Sequence, residues 1–350
     1  MKTYRETMDE LRFTEQEKEA MVDRLLERGG SSRKGLNLRR AAVAVAAAAV
    51  LTVGAGAAVV LTPAGEVFAS VLGGAPAQTE ILDWMGVPVG ASDTHNGVTI
   101  TADAIIGDAY SYAVVYSIAR EDGQPLAEDL EPLGNGVLPL TFDRADTSVG
   151  VTGGSSHGSA YFYDADPSEP SIQYVEKMTS DVPLEPGTAT ASFRNLYRMG
   201  KDFQDKIPVA EGKWKIRFQF SFPDSSVRLP GGQTFQLNGM EAVLDGVTIS
   251  PLSIQVDYTV KEELVWDNQS QENGRESEHD REQSYRFFES LPLSLNMADG
   301  STVDLSSLGG SIDPETGRTV CRKGGVFEEI LDLSTVESVT VAGITLPVTP

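Results

Sequence analysis

Cysteine is nearly absent from this chain, and histidine is scarce. The 350 residues contain one Cys, at position 321, and three His. A lone thiol cannot form a disulfide within the chain, and the three His lie far apart in sequence without the spacing of zinc ligands. We therefore expect hydrophobic cores to hold the fold together, and we predict neither a metal site nor a cofactor.

Basic residues are also scarce. The chain has 28 Lys and Arg against 51 Asp and Glu, a net charge of −23 at pH 7. Residues 1–40 carry ten basic and eight acidic side chains, whereas residues 63–350 carry 18 and 43. A surface of this sign repels phosphate backbones. We therefore exclude direct binding of nucleic acid by the large C-terminal part.

Catalytic motifs are lacking as well. Gly154-Ser155-Ser156-His157-Gly158 has the form G-x-S-x-G, but that motif functions at a strand-to-helix turn of a parallel α/β sheet. Here it lies in a Gly- and Ser-rich loop between predicted β-strands. We predict that the protein is not an enzyme.

One long apolar segment, Ala41 to Thr62, contains only Ala, Val, Leu, Gly and Thr. As a helix it would be about 33 Å long, enough to cross a bilayer. The basic residues of Arg28–Arg40 then place the N-terminus in the cytoplasm. This predicts a single-pass plasma-membrane protein with an extracellular C-terminal domain and the lipid bilayer as a partner; a cleaved signal peptide is the competing interpretation. Gly54 and Ala58 form a small-xxx-small pair that could pack against another helix, although chance also produces such pairs in Ala-rich segments.

Residues 1–40 are predicted to form a cytoplasmic helical tail. Thr14–Glu17 has the form of a capping box, and Gly29-Gly30 supplies a stop. Between them, four apolar residues at i, i+4 spacing form one apolar side, namely Met21, Val22, Leu25 and Leu26. Forty residues cannot bury this stripe alone, so it either frays or binds a partner.

Beyond the apolar segment the pattern changes to alternation with period two, clearest in Trp214–Phe222 and Leu252–Val260. We therefore predict a mainly β fold. A juxtamembrane segment (63–89) containing short helices precedes two tandem antiparallel, immunoglobulin-like β-sandwiches, at 90–224 and 234–350. Asn96–Ile100 and Asp245–Ile249 indicate an internal repeat.

This layout resembles the single-pass anti-sigma-factor-like proteins of Firmicutes that carry an uncharacterised immunoglobulin-like ectodomain. The resemblance rests on Glu10–Glu15 with Leu25-Leu26 before the anchor, and on several strands after it, namely Asn96–Ile100, Ala113–Ser117, Ser250–Leu252 and Tyr258–Val260. It covers most of the chain, and its motifs are strand edges and turns.

The resemblance implies that the tail binds a cytoplasmic sigma factor through Met21, Val22, Leu25 and Leu26, while the ectodomain senses an extracellular signal or ligand. The tail has neither Cys nor His, which rules out a zinc-bound form of such a module. The alternative is a cell-surface binding or adhesion protein with a passive tail.

Overall fold

The computed structural model describes residues 61–127, 130–150, 153–200, 205–267 and 276–349. Within these ranges the chain is mainly β, which confirms that part of the predicted fold class. The helices are α1 (Ala64–Leu72), α2 (Pro76–Met85) and α3 (Glu278–Ser284), followed by the π-helical turn Tyr285–Glu289 and, later, the 3₁₀ turn Leu333–Thr335. The strands are β1 (Gly86–His95), β2 (Val98–Gly107), β3 (Ser111–Arg120), β4 (Leu140–Ser148), β5 (Ser156–Tyr163), β6 (Ile172–Ser180), β7 (Gly187–Met199), β8 (Lys206–Phe220), β9 (Val227–Pro230), β10 (Thr234–Leu237), β11 (Met240–Ile249), β12 (Ser253–Val260), β13 (Leu293–Met297), β14 (Thr302–Asp304), β15 (Gly310–Glu315), β16 (Arg318–Val326), β17 (Val336–Val341) and β18 (Ile344–Pro347).

The predicted transmembrane helix, and the single-pass plasma-membrane localisation built on it, need correction. None of the helices in the described ranges is long and apolar enough to cross a membrane. The first of them, α1, has 9 residues and begins at Ala64, and Leu61 and Thr62 at the end of the predicted span are not helical. Residues 41–60, with Gly54 and Ala58, lie outside the described residues, as does the predicted tail at 1–40.

The first sandwich packs two antiparallel sheets against each other. One has the order β1-β2-β3-β6-β5 and the other has the order β4-β7-β8. Strand β8 alternates as its sequence predicts: Trp214, Ile216 and Phe218 are buried while the residues between them are exposed. Trp214 also donates its indole N–H to the carbonyl of Val98, at 2.9 Å, and so joins the two sheets across the core.

The centre of the five-stranded sheet is buried on both faces. On β3, Tyr112, Val114 and Tyr116 face the first sandwich core. Ala113 and Val115, on the other face, pack in a separate apolar cluster with α1 and α2. This two-sided burial explains why Ser111–Ile118 is nearly continuously apolar rather than alternating.

The second sandwich has the same construction. Its larger sheet has the order β10-β11-β12-β16-β15, with β9 also paired to β11, and its smaller sheet has the order β14-β13-β17-β18. A second core fills the space between them, with Tyr258 and Phe287 among its large buried side chains. Four residues of the segment between the predicted sandwiches therefore belong to a sheet, as strand β9.

The two sandwiches repeat one another over two hairpins. Asn96-Gly97 and Asn238-Gly239 both have positive φ, at 49°, 74°, 50° and 83°, as tight hairpin turns require. Further along, Asp103 and Asp245 are each the extra residue of a β-bulge. Each carboxylate accepts a hydroxyl hydrogen bond from the next strand, from Ser117 at 2.6 Å and from Thr259 at 2.7 Å.

Candidate functional site

The residues that connect the two sandwiches centre on Asp108, in the turn between β2 and β3, which is 0 % exposed. Its Oδ1 accepts hydrogen bonds from the amides of Tyr110 and Ser111, at 2.9 and 2.7 Å. Its Oδ2 accepts from the hydroxyls of Ser250 and, at 2.6 Å, Ser253, in the turn between β11 and β12. One carboxyl therefore joins a turn of the first sandwich to a turn of the second.

These two turns are counterparts in the repeat. Ser250 occupies the position of Asp108, and its hydroxyl oxygen accepts from the amides of Leu252 and Ser253, at 2.9 and 3.0 Å. In both turns the amide of the first residue donates to the carbonyl of the Ser that begins the next strand, from Asp108 to Ser111 and from Ser250 to Ser253, each at 2.9 Å. The side chain of the residue that begins each turn, Asp108 or Ser250, thus closes its own turn. Asp108 has a second carboxyl oxygen, which is available to the turn of the other sandwich.

The electrostatics of Asp108 fit a connecting role. Burial raises the pKa of this carboxyl above its ordinary value, and the hydrogen bonds from Ser250 and Ser253, then those from the two amides, offset the effect only in part. Both oxygens are occupied by donors of the protein, so the carboxyl holds two turns together. Among the described residues, no group of three or more His, Cys, Asp or Glu side chains could hold a metal ion.

Both sandwiches also bind the carbonyl end of helix α1. Lys177 on β6 donates from Nζ to the carbonyl of Val71, at 3.2 Å, and its ammonium lies 3.7 Å from a carboxylate oxygen of Glu328 in the second sandwich. The amide of Ile330 donates to the carbonyl of Leu72, at 2.7 Å. The last carbonyls of a helix have no partner within it, so these contacts satisfy groups that would otherwise be buried without hydrogen bonds.

An apolar cluster lies beneath these polar contacts. It combines Phe68 and Leu72 of α1 and Leu82 of α2 with the outer face of the five-stranded sheet. The second sandwich contributes Leu252 and Ile330 to the same cluster, both almost fully buried. Because one cluster contains side chains from three parts of the chain, burial of apolar area favours their packing as one body. We call this cluster, with Asp108, Lys177 and their partners, the junction.

Two further hydrogen bonds lie at the margin of the junction. His157 on β5 contacts the carbonyl of Gly324 on β16, with 3.0 Å between Nε2 and the oxygen. Gln78 of α2 donates to a carboxylate oxygen of Glu329, at 3.0 Å. His157 belongs to the G-x-S-x-G sequence, whose last three residues form the start of edge strand β5 in the structure. The contact of His157 is therefore between the sandwiches.

The residues that the sequence nominated lie elsewhere. Met21, Val22, Leu25 and Leu26, as well as Gly54 and Ala58, are outside the described residues. Their predicted contacts with a sigma factor and within a membrane stay predictions.

Sequence reasoning missed the junction residues. A usable signal exists for the turns, because an oxygen-bearing side chain followed three residues later by Ser separates two apolar strands in both Asp108–Ser111 and Ser250–Ser253. Lys177 gives a weaker signal, since it follows Glu176 and these two are the only charged residues of strand β6. Its partners are distant in sequence, at Val71 and Glu328.

Comparisons with known proteins add little to this geometry. No protein-family model and no curated protein matches the sequence. The chain is similar to a solved structure described as the crystal structure of the conserved domain protein from Bacillus anthracis, with a TM-score of 0.45 and 15 % identity over 73 % of this chain and 76 % of that one. A likeness this distant assigns no function. The comparisons give the predicted anti-sigma-factor role no support.

Proposed function

We propose that this chain is a regulatory binding protein. A change in the relative position of its two sandwiches alters the position of helix α1 and, through it, of the chain segment before α1. One observation supports the proposal: the carbonyl end of α1 is bound by Lys177 of the first sandwich and by Ile330 of the second. A ligand that changed the packing of the sandwiches would therefore also change the contacts of α1. The proposal assigns no catalysis.

The net charge of the chain limits the classes of ligand that it is expected to bind. With a net charge of −23, the protein suits a neutral or cationic ligand and repels nucleic acid. Coupling of this kind requires that the ligand bind the two arrangements of the sandwiches with different affinity, because only differential affinity shifts a conformational equilibrium.

Amide hydrogen exchange on the full chain tests the coupling. Asp108→Ala removes the carboxyl that joins the two turns, and Asp122→Ala, at an exposed carboxylate paired with Arg120, is the matched control. We expect Asp108→Ala to lower protection at Ile330 and in α1 by a larger factor than in β8, where protection falls only with global stability. Loss of protection confined to the turns, with α1 unchanged, would contradict coupling.

The regulatory part is tested in the native host. Strains carrying Asp108→Ala or Asp122→Ala at the chromosomal locus are compared with wild type by transcript profiling, with the amount of protein measured by immunoblot. A profile altered in the Asp108→Ala strain alone, at equal protein level, supports the proposal. Identical profiles in all three strains would instead favour a binding protein with a passive N-terminal segment.

A further inference from the structure

A carboxyl in the core of the first sandwich has an oxygen without a hydrogen-bond partner. Glu176 on β6 faces this core and is 5 % exposed. Its Oε1 accepts a hydrogen bond from the hydroxyl of Tyr174, at 3.3 Å, and Thr147 is a further hydrogen-bonding neighbour. Its Oε2 is buried and has no partner among the described residues. A buried polar atom in this state is unfavourable unless something outside the described chain pairs with it.

A cleft lies beside this carboxyl, at the open edge of the first sandwich. It has a volume of about 200 Å³ and opens between the edge strands β4 and β5. The two sheets are joined there by the bridge between Leu138 and Phe162. An engineered protein cavity of ~150 Å³ binds benzene, so this cleft has room for a ligand with one ring.

The strand register places Glu176 directly behind the cleft wall. Ala160 lines the cleft and is the pairing partner of Glu176 in the β5–β6 ladder. Paired residues of antiparallel strands have their side chains on the same face, about 5 Å apart. Tyr174, the hydrogen-bond partner of Glu176, also lines the cleft. Glu176 itself does not line the cleft; its strand partner Ala160 and its hydrogen-bond partner Tyr174 do.

The wall of the cleft is aromatic. Phe142, Phe162 and Tyr174 pack against one another with ring centroids 4.7 to 5.4 Å apart. Aromatic faces attract organic cations. Burial raises the pKa of Glu176, and a cation beside the carboxyl would oppose this effect and favour the ionised form, which accepts a charge-assisted hydrogen bond. An anion or a neutral ligand would leave Oε2 without a donor or with a weaker one.

The second sandwich shows how the equivalent position is filled. Strand β16 holds the place that β6 holds in the first sandwich, and Lys323 pairs with Val256 as Glu176 pairs with Val114. The ammonium of Lys323 lies 4.5 Å from the centroid of the Phe288 ring and donates to the carbonyl of Phe288, at 3.3 Å. An internal cation thus sits against an aromatic ring in one sandwich, whereas the other sandwich has aromatic rings, a carboxyl and a cleft.

We propose that the first sandwich binds a small organic ammonium ion with one apolar ring, its ring in the edge cleft and its ammonium group hydrogen-bonded to Oε2 of Glu176. This inference rests on the proposed function in one respect, since it names the ligand class of the binding protein. The junction experiments use no ligand, so either proposal can fail while the other stands.

Titration of the full chain with benzylammonium chloride at pH 7, against the neutral benzyl alcohol, tests the inference by calorimetry. We expect saturable binding of benzylammonium, at least about tenfold tighter than that of benzyl alcohol, because only the cation pairs with the carboxyl. Glu176→Gln should abolish this preference, and Ala160→Leu should weaken binding of both ligands by filling the cleft.

Glu169→Gln, at an exposed carboxylate, is the matched control and should keep the preference. Glu176→Gln retains an acceptor for Tyr174 and replaces a carboxyl whose pKa burial raises, so we expect it to fold, which thermal unfolding checks. The inference is overturned if wild type shows no saturable binding of benzylammonium, if both ligands bind equally, or if the preference survives in Glu176→Gln.

Discussion

The hydroxyl of Ser253 donates a hydrogen bond to Oδ2 of Asp108 across the boundary between the two sandwiches, at 2.6 Å. Both residues occupy matching turns of a repeated hairpin, so the repeat does more than duplicate a fold. It brings two turns with the same internal hydrogen bonds together, and the longer side chain in one of them reaches the other.

Removal of this carboxyl should destabilise the protein. Asp108→Ala leaves two amides and two hydroxyls without their acceptor, and we expect a loss of about 3 kcal/mol in the free energy of unfolding. Asp108→Asn keeps one oxygen acceptor and should lose about 1 kcal/mol. Urea unfolding measures both, with Asp122→Ala as a control expected within about 0.5 kcal/mol of wild type. Equal stability of Asp108→Ala and the control would show that the turns are held by other contacts.

Lys177 should affect the local stability of helix α1 more than the global stability of the protein. Lys177→Met removes the donor to the carbonyl of Val71, so protection of α1 against amide exchange should fall about tenfold. Burial lowers the pKa of Lys177, with Glu328 opposing, so removal of this buried ammonium also relieves an unfavourable burial. We therefore expect global stability within about 1 kcal/mol of wild type. Lys213→Met, on an exposed position of β8, should leave α1 protection unchanged.

The parts of the fold that sequence predicted are those where burial leaves a local pattern. Strand β8 has one buried and one exposed face, so its alternation is visible in the sequence. Strands β6 and β16 were not predicted because charged and polar residues in each interrupt the alternation of apolar side chains. Those charges are accommodated by partners far along the chain, such as Val71 for Lys177 and Phe288 for Lys323.

The internal repeat was detected in the wrong register. Sequence similarity aligned Asn96–Ile100 with Asp245–Ile249, whereas the structure aligns Asn96-Gly97 with Asn238-Gly239. The shared features are backbone ones, positive φ at the turn and a bulge at Asp103 and Asp245, and most of the side chains between them differ. The junction was invisible for a related reason, because a contact between two turns leaves no periodicity in either.

Cys321 should report global unfolding. The thiol lies in the second core, is 0 % exposed, and burial raises its pKa to about 12. Thiolate is the reactive form, so a thiol reagent at pH 8 should label Cys321 only when the core opens. The labelling rate should rise in step with the unfolded fraction in urea. Labelling of the native protein at the rate of a free thiol would contradict the buried position.

Gly324 tests the packing of β16 against β12 within the second sandwich. A Cβ at this position would collide with the carbonyl oxygen of Ile254, a backbone atom that cannot move aside without a shift of the strand. We expect Gly324→Ala to lose at least about 2 kcal/mol of stability and to weaken the contact of His157 with the carbonyl of residue 324. Gly187→Ala is the matched control, because its Cβ would meet no atom within 4 Å. Similar stabilities for the two variants would contradict the strand packing at β12–β16.

The carboxyl at the first bulge should make stability depend on pH. Burial raises the pKa of Asp103 from 3.8 to about 6, and hydrogen bonds from the hydroxyl and the amide of Ser117 oppose the shift. The folded state therefore holds a proton that the unfolded state releases, so this stabilisation is complete below pH 3.8 and is lost as pH rises through about 6.

Asp103→Asn keeps an acceptor for Ser117 without titrating. The stability difference between wild type and Asp103→Asn should thus change by about 2 kcal/mol between pH 4 and 7, measured by urea unfolding across that range. Parallel pH profiles for wild type and Asp103→Asn would contradict the raised pKa.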